Sequence, residues 1–264
     1  MNTLKNILFS AALLLLGSCE KVVYIDLNSG DPKIVVEANI SDQPGPYHVK
    51  LSNSVNYYDD NIFPGITGAR VIIYDDKGQL DTLMETSAGS YQTVKLMGIP
   101  GRVYHLMVST KEGKAYHSSS VMNAAVPIDS ILYEPTPRKN NYRLICKFRD
   151  TEFVENYYKL QAYSNNPKGL DSTNIRVLSD RLTDGQEMTV SYRTSLLQGD
   201  SITLKLESID KGTYDFYRTF PNVGGGLDGF LSAPPANPIT NVDNGALGYF
   251  SAHGVSTKSD VVHY

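Results

Sequence analysis

The sequence predicts an all-β protein of two β-sandwich-like modules, the second carrying one short helix. Three observations predict it. Runs of strand formers recur between turn clusters such as Asp75-Asp76-Lys77-Gly78, Ser87-Ala88-Gly89-Ser90 and Lys111-Glu112-Gly113-Lys114. Within the runs, apolar and polar residues alternate. Between 142 and 149, Tyr142, Leu144, Cys146 and Phe148 fall on one face, and Arg143, Lys147 and Arg149 on the other. Helical spacing is confined to one place, where Asp210 is a candidate cap and Tyr214, Tyr217 and Phe220 form an apolar stripe before Pro221.

In chain order, residues 1–18 read as an export signal. Lys5 supplies the positive end, Ile7 to Leu16 a short apolar run, and Gly17 and Ser18 the small residues before Cys19. A permanent membrane span needs about 20 apolar residues, twice this run. The tetrad Leu16-Gly17-Ser18-Cys19 resembles a lipobox. That resemblance implies cleavage before Cys19, a diacylglyceryl group on its thiol and a further palmitate-type chain on its amine. Two or three chains suffice for stable anchoring, where one does not. Residues 19–32 then read as a lipidated tether ending in Asn28-Ser29-Gly30-Asp31-Pro32, a group of turn formers.

Residues 33–125 form the first expected module. Its strands fall near 33–40, 48–52, 69–74, 80–85, 91–96, 103–109 and 114–119. The succession Gly68-Ala69-Arg70-Val71, Gly89-Ser90-Tyr91 and Gly101-Arg102-Val103-Tyr104-His105-Leu106-Met107-Val108 resembles the transthyretin-like or carboxypeptidase-regulatory sandwich, an Ig-like β architecture. Val126-Pro127-Ile128-Asp129-Ser130-Ile131 reads as a boundary into the second module, 126–264. There the strands are expected at 142–149, 157–163, 175–178, 188–192 and 201–208, with the helix after them. A Gly- and Pro-rich stretch follows, then a last strand within 244–252.

Composition narrows the function. With 24 basic and 28 acidic residues the net charge is −4, and no basic patch marks a nucleic-acid surface. Of two cysteines, one is the lipidation candidate, so Cys146 has no partner for an intrachain disulfide; its strand context makes it a small buried hydrophobe. The histidines 48, 105, 117, 253 and 263 show no metal-site spacing, and the chain lacks a G-x-S-x-G elbow and a P-loop lysine. The expected protein is therefore not an enzyme.

Two groups remain as binding candidates. Tyr57, Tyr58 and Phe63 lie in a loop between Val55 and Gly68, where aromatics either stack on a sugar or partner, or fold back as a local cluster. Asp59, Asp60, Asp75 and Asp76 are candidate calcium ligands, or equally solvated turn residues. No other cofactor is expected.

Across the whole chain, the "V-V-E-A-x-I" run from Val35, Pro127-Ile128-Asp129-Ser130-Ile131, Asn156-Tyr157-Tyr158, Asn237-Pro238 and the closing Asn244-Gly245-x-Leu247-Gly248-Tyr249-Phe250 resemble one family. It comprises the outer-membrane lipoproteins grouped as domain of unknown function 4249, common in the Bacteroidota. The resemblance implies a lipid-anchored, non-catalytic accessory to a TonB-dependent outer-membrane transporter in nutrient uptake. It assigns no functional residues. The alternative is an independent surface module that binds glycans or peptides. Glu20 and Lys21 after the anchor do not choose between the periplasmic and the exposed side of the outer membrane.

Overall fold

The computed structural model describes residues 31–55, 62–138, 141–170, 175–220 and 237–263. Cys19, Tyr57, Tyr58, Asp59, Asp60, the export signal, most of the tether and the Gly/Pro-rich stretch lie outside them. The described chain is all-β, with two sandwich-like modules and one short helix. Its first strands are β1 (Ile34–Ser41), β2 (His48–Asn53), β3 (Arg70–Asp75), β4 (Leu80–Thr82), β5 (Met84–Ser87), β6 (Ser90–Gln92), β7 (Val103–Ser109) and β8 (Ala115–Val121). The rest are β9 (Ile128–Pro135), β10 (Tyr142–Arg149), β11 (Tyr157–Ser164), β12 (Ile175–Ser179), β13 (Glu187–Leu196), β14 (Ser201–Ile209) and β15 (Leu247–Val261), with helix α1 (Lys211–Thr219) before the last.

One eight-stranded sheet, ordered β12-β11-β14-β15-β1-β2-β6-β5, runs through both modules. A four-stranded sheet, β4-β3-β7-β8, completes the first sandwich, and a three-stranded sheet, β13-β10-β9, the second. The joint is β15. Its first half pairs in parallel with β1, placing Phe250 beside Ala38 and Ala252 beside Ile40; its second half pairs antiparallel with β14. Phe250 and Ala252 belong to the first apolar cluster, and Val262, just past the strand, to the second.

Both small sheets cover the same face of the large one. Strand alternation puts residues 250, 252, 254, 256 and 258 together. Lys258 donates to the carbonyls of Ile128 and Asp129 in β9, and the Ile128 N–H reaches the Ser256 hydroxyl. Between the two sandwiches, a Cβ on Gly254 would lie 2.3 Å from the nitrogen of Ala125. Only glycine lets the β8–β9 connection cross so close to β15.

Four local expectations need correction. The run 80–85 is not one strand: Leu83 is buried and its N–H bonds the Val71 carbonyl, so β4 and β5 join different sheets on either side of it. The run 91–96 stops as a strand at Gln92, because the buried Asp81 carboxylate accepts the N–H groups of Val94, Lys95 and Leu96. The expected strands of the second module leave out β9, which begins at Ile128 within the boundary run. The helix is capped by Asp210 as expected, its side chain accepting the Thr213 N–H at 2.8 Å, but Thr213 and Phe216 point inward and Phe220 is exposed.

Candidate functional site

The uncovered face of the large sheet is built from the residues one step out of register with the core. β1 contributes Asn39 and Ser41, β2 His48, β11 Lys159 and Gln161, β14 Lys205 and Glu207, and β15 Tyr249 and His253. These residues, with Pro46 and Tyr47, line an open cleft of about 370 Å³. Helix α1 packs beside the cleft, on Tyr249. Phe216 and Tyr217 pack on Tyr249, with ring centroids 4.6 and 5.2 Å away, and Tyr214 packs on Tyr157.

At the cleft floor lies a charged network. Glu207 binds Lys159 through one oxygen and Lys205 through the other, each at 2.6 Å. The side chains of Lys159 and Glu207 are only 8% and 4% exposed, whereas that of Lys205 is 35% exposed. Lys159 also donates to the Tyr217 hydroxyl and lies 4.6 Å from that ring's centroid. Tyr217 donates to the Tyr249 hydroxyl, which also accepts from the Asn39 amide. His253 is buried 3.7 Å from Glu207, with Nδ1 2.9 Å from the Ser251 hydroxyl.

This setting moves the titratable groups away from neutrality. Burial alone would raise the Glu207 carboxyl; His253, Lys159 and Lys205 overcome it and hold the carboxyl at about 2. Burial lowers His253 to about 4, Lys159 and Lys205 pushing the same way against Glu207 and Asp42. His253 is therefore neutral at pH 7, and the lysines alone counter the Glu207 charge there. Burial raises the Tyr217 hydroxyl to about 12 and the Tyr249 hydroxyl as well. The buried network offers fixed charges and hydrogen bonds, its Glu207 and His253 both held away from pH 7.

A second cluster lies at one end of the second sandwich. Asp150, Asp180 and Asp184 bring carboxylate oxygens within 4.8 Å of one another, the one such group of three metal-ligating side chains among the described residues. Much of its oxygen capacity serves the chain itself. Asp150 accepts from the Tyr158 hydroxyl and the Gly185 N–H, Asp180 from the Asn156 N–H, and Asp184 from the Phe153 N–H. These bonds clamp the 150–156 and 180–185 loops together. Burial and the charges of Asp150, Asp184 and Glu155 raise the Asp180 carboxyl.

Of the binding candidates singled out in the sequence, Phe63, Asp75 and Asp76 are described, and they are not brought together. Phe63 is 53% exposed, beside exposed Ile62. One Asp75 oxygen accepts the N–H groups of Lys77 and Gln79, and the other binds Arg102 at 2.6 Å, so this carboxylate organises its own turn. Asp76 pairs with Lys77 at 3.1 Å. Cys146 is wholly buried in the second cluster, and burial pushes its thiol up to about 12. His253, Lys159 and Glu207 were the residues to find. Their polar parity within the strands was visible, but their burial beneath a helix was not.

A family profile described as "Domain of unknown function (DUF4249)" matches residues 20–259. The chain belongs to this family. Among curated proteins no sequence match is found. Among solved structures, this DUF4249 protein is similar to the Yersinia pseudotuberculosis adhesin InvE, with 18% identity, 66% of this chain and 55% of that one covered, and a TM-score of 0.23. It is also similar to a pullulanase from Anoxybacillus sp. LM18-11 complexed with maltotriose, with 13% identity, 65% and 24% covered, and a TM-score of 0.21. The matched part thus spans about half of the first chain and a quarter of the second. No helix among the described residues is long and apolar enough to cross a membrane.

Proposed function

We propose that this protein is a non-catalytic, lipid-anchored accessory of the outer membrane, held through Cys19 and associated with a TonB-dependent transporter in nutrient uptake. The observation that carries the non-catalytic reading is the state of the buried charged network. Glu207 at about 2 and His253 at about 4 hold these two groups in fixed states at neutral pH. The tetrad ending in Cys19 supports the anchor, and the family resemblance supports the transporter partner. The test is purification of the lipidated protein from native outer membrane in mild detergent, with mass spectrometry of what accompanies it. A stoichiometric TonB-dependent transporter is the expected result. Recovery of the protein alone, under conditions where known envelope complexes survive, overturns the reading.

A second reading, an independent surface module that captures glycans or peptides, is favoured by the open, polar cleft and by exposed Phe63. It predicts ligand binding by the purified protein without any partner.

A further inference from the structure

We propose that the cleft binds a small hydroxylated carboxylate of the size of a sugar acid, with Lys205 and Gln161 receiving the carboxylate. The inference stands apart from the transporter partnership, since it concerns what the isolated chain holds.

The strand register carries the argument. Lys159 is directly opposite Glu207, and Gln161 directly opposite Lys205, on adjacent β11 and β14. Opposed side chains on one face start about 5 Å apart at Cβ, close enough to share a ligand. The first pair is closed off: Lys159 pairs with Glu207 and donates to Tyr217, and both members are buried. The second pair is not. Lys205 uses one donor on Glu207 and leaves a third of its side chain open, and the Gln161 amide bonds no other side chain among the described residues. An ammonium and a carboxamide side by side present N–H donors with the spread of a carboxylate.

Charge agrees. The cleft lining holds Lys159 and Lys205 against Glu207, with His253 neutral at pH 7, so one positive charge is unmatched. Asp42 and Glu37 are outside that lining, and one Asp42 oxygen is held by the Val255 N–H and the Gln43 amide. Across the cleft, the Asn39 amide oxygen and the exposed His48 ring remain available to hydroxyl groups. The volume of about 370 Å³ is near the lower end for ligand sites, about 300–1,000 Å³, and suits one small molecule. A buried ion pair adds little net stability over apolar residues of the same size, so stability alone does not explain placing one here.

The test titrates the full chain at pH 7 with three probes of one ring size: glucuronate, glucose and glucosamine. Heat of binding and the imidazole resonance of His253 are read together. Glucuronate is expected to bind saturably and at least tenfold more tightly than glucose, with glucosamine weakest, and to shift the His253 signal. Lys205→Met should weaken glucuronate binding at least tenfold, and Gln161→Leu should weaken it less while leaving the unfolding midpoint unchanged. The second variant keeps the test decisive if the first disturbs folding. Absence of saturable glucuronate binding overturns the proposal. So does equal affinity for glucose, or glucuronate binding unchanged in both variants. None of these results bears on whether a transporter copurifies.

Discussion

The two faces of the eight-stranded sheet come from the same strands, one residue out of step, and they bury side chains by different means. On the covered face Val36, Ala38, Ile40, Leu204, Leu206, Phe250 and Ala252 meet the two small sheets. On the other face Lys159, Glu207 and His253 are buried about as deeply, yet each carries charge or can acquire it. The covered face gains free energy from apolar area removed from water, about 25 cal/mol per Å². The open face instead loses hydration of its ions and recovers it through mutual pairing, a balance that comes out near zero. The first face holds the fold; the second constrains chemistry.

The largest effect expected on this contrast is from Phe250→Ala. The side chain is fully buried where β15 joins β1, and its loss should cost about 3–5 kcal/mol in chemical denaturation. A loss below about 1 kcal/mol would mean that β15 does not anchor the first core.

On the open face, Glu207→Gln should cost about 3 kcal/mol, because Lys159 is left buried without a counter-charge. The double variant Lys159→Met with Glu207→Leu should recover most of that loss. If the double variant is as unstable as the single one, the pair is contributing net stability, and the contrast between the faces fails.

Much of this division was legible in the sequence. Alternation alone separates Leu144, Cys146 and Phe148 from Arg143, Lys147 and Arg149, and it likewise sets Lys159 and Gln161 apart from Leu160 and Ala162. What alternation cannot show is cover. Helix α1 lies some fifty residues from Lys159 in sequence, yet its Tyr217 packs over that lysine, and Tyr47, from the other module, lines the cleft. Local reading also favoured adjacent acids, Asp59-Asp60 and Asp75-Asp76. The carboxylates that do converge are thirty residues apart, brought together where Arg149 pairs with Glu187 and Tyr157 with Ser179. The end of the strand at Gln92 was equally hidden, since the Asp81 carboxylate that bends residues 94–96 acts across more than ten positions.

Acid should expose the open face next. The folded chain keeps His253 neutral down to about pH 4, while the unfolded chain protonates it near 6.5, so this group costs stability as pH falls through that window. Glu207 has the depressed carboxyl, so its contribution is complete above about 4.5 and disappears toward about 2. Both act in the same direction, against acid. The groups facing His253 are Lys159, Lys205, Glu207, Asp42 and Ser251. His253→Gln should flatten the upper part of the profile, making the variant about 2 kcal/mol less sensitive to a change from pH 7 to pH 5. An unchanged profile in thermal unfolding across that interval would place the acid response elsewhere.

The smallest effect tests a third mode of burial, in which like charges meet without a cation. Asp180 is raised first by burial and then by Asp150 and Asp184, the reverse of the treatment Glu207 receives. A raised carboxyl costs stability above its folded-state value, and the cost is relieved as pH falls through it. Asp184→Asn keeps an oxygen to accept the Phe153 N–H while removing one repelling charge. Asp184 is exposed and screened by solvent, so the gain at pH 7 should stay below about 1 kcal/mol. Measured again at pH 4, the gain should be smaller, because the raised Asp180 carboxyl takes up its proton as pH falls. A variant less stable at both values would show that the clamp between the 150–156 and 180–185 loops needs the full carboxylate as acceptor, and that repulsion at Asp180 is too weak to matter.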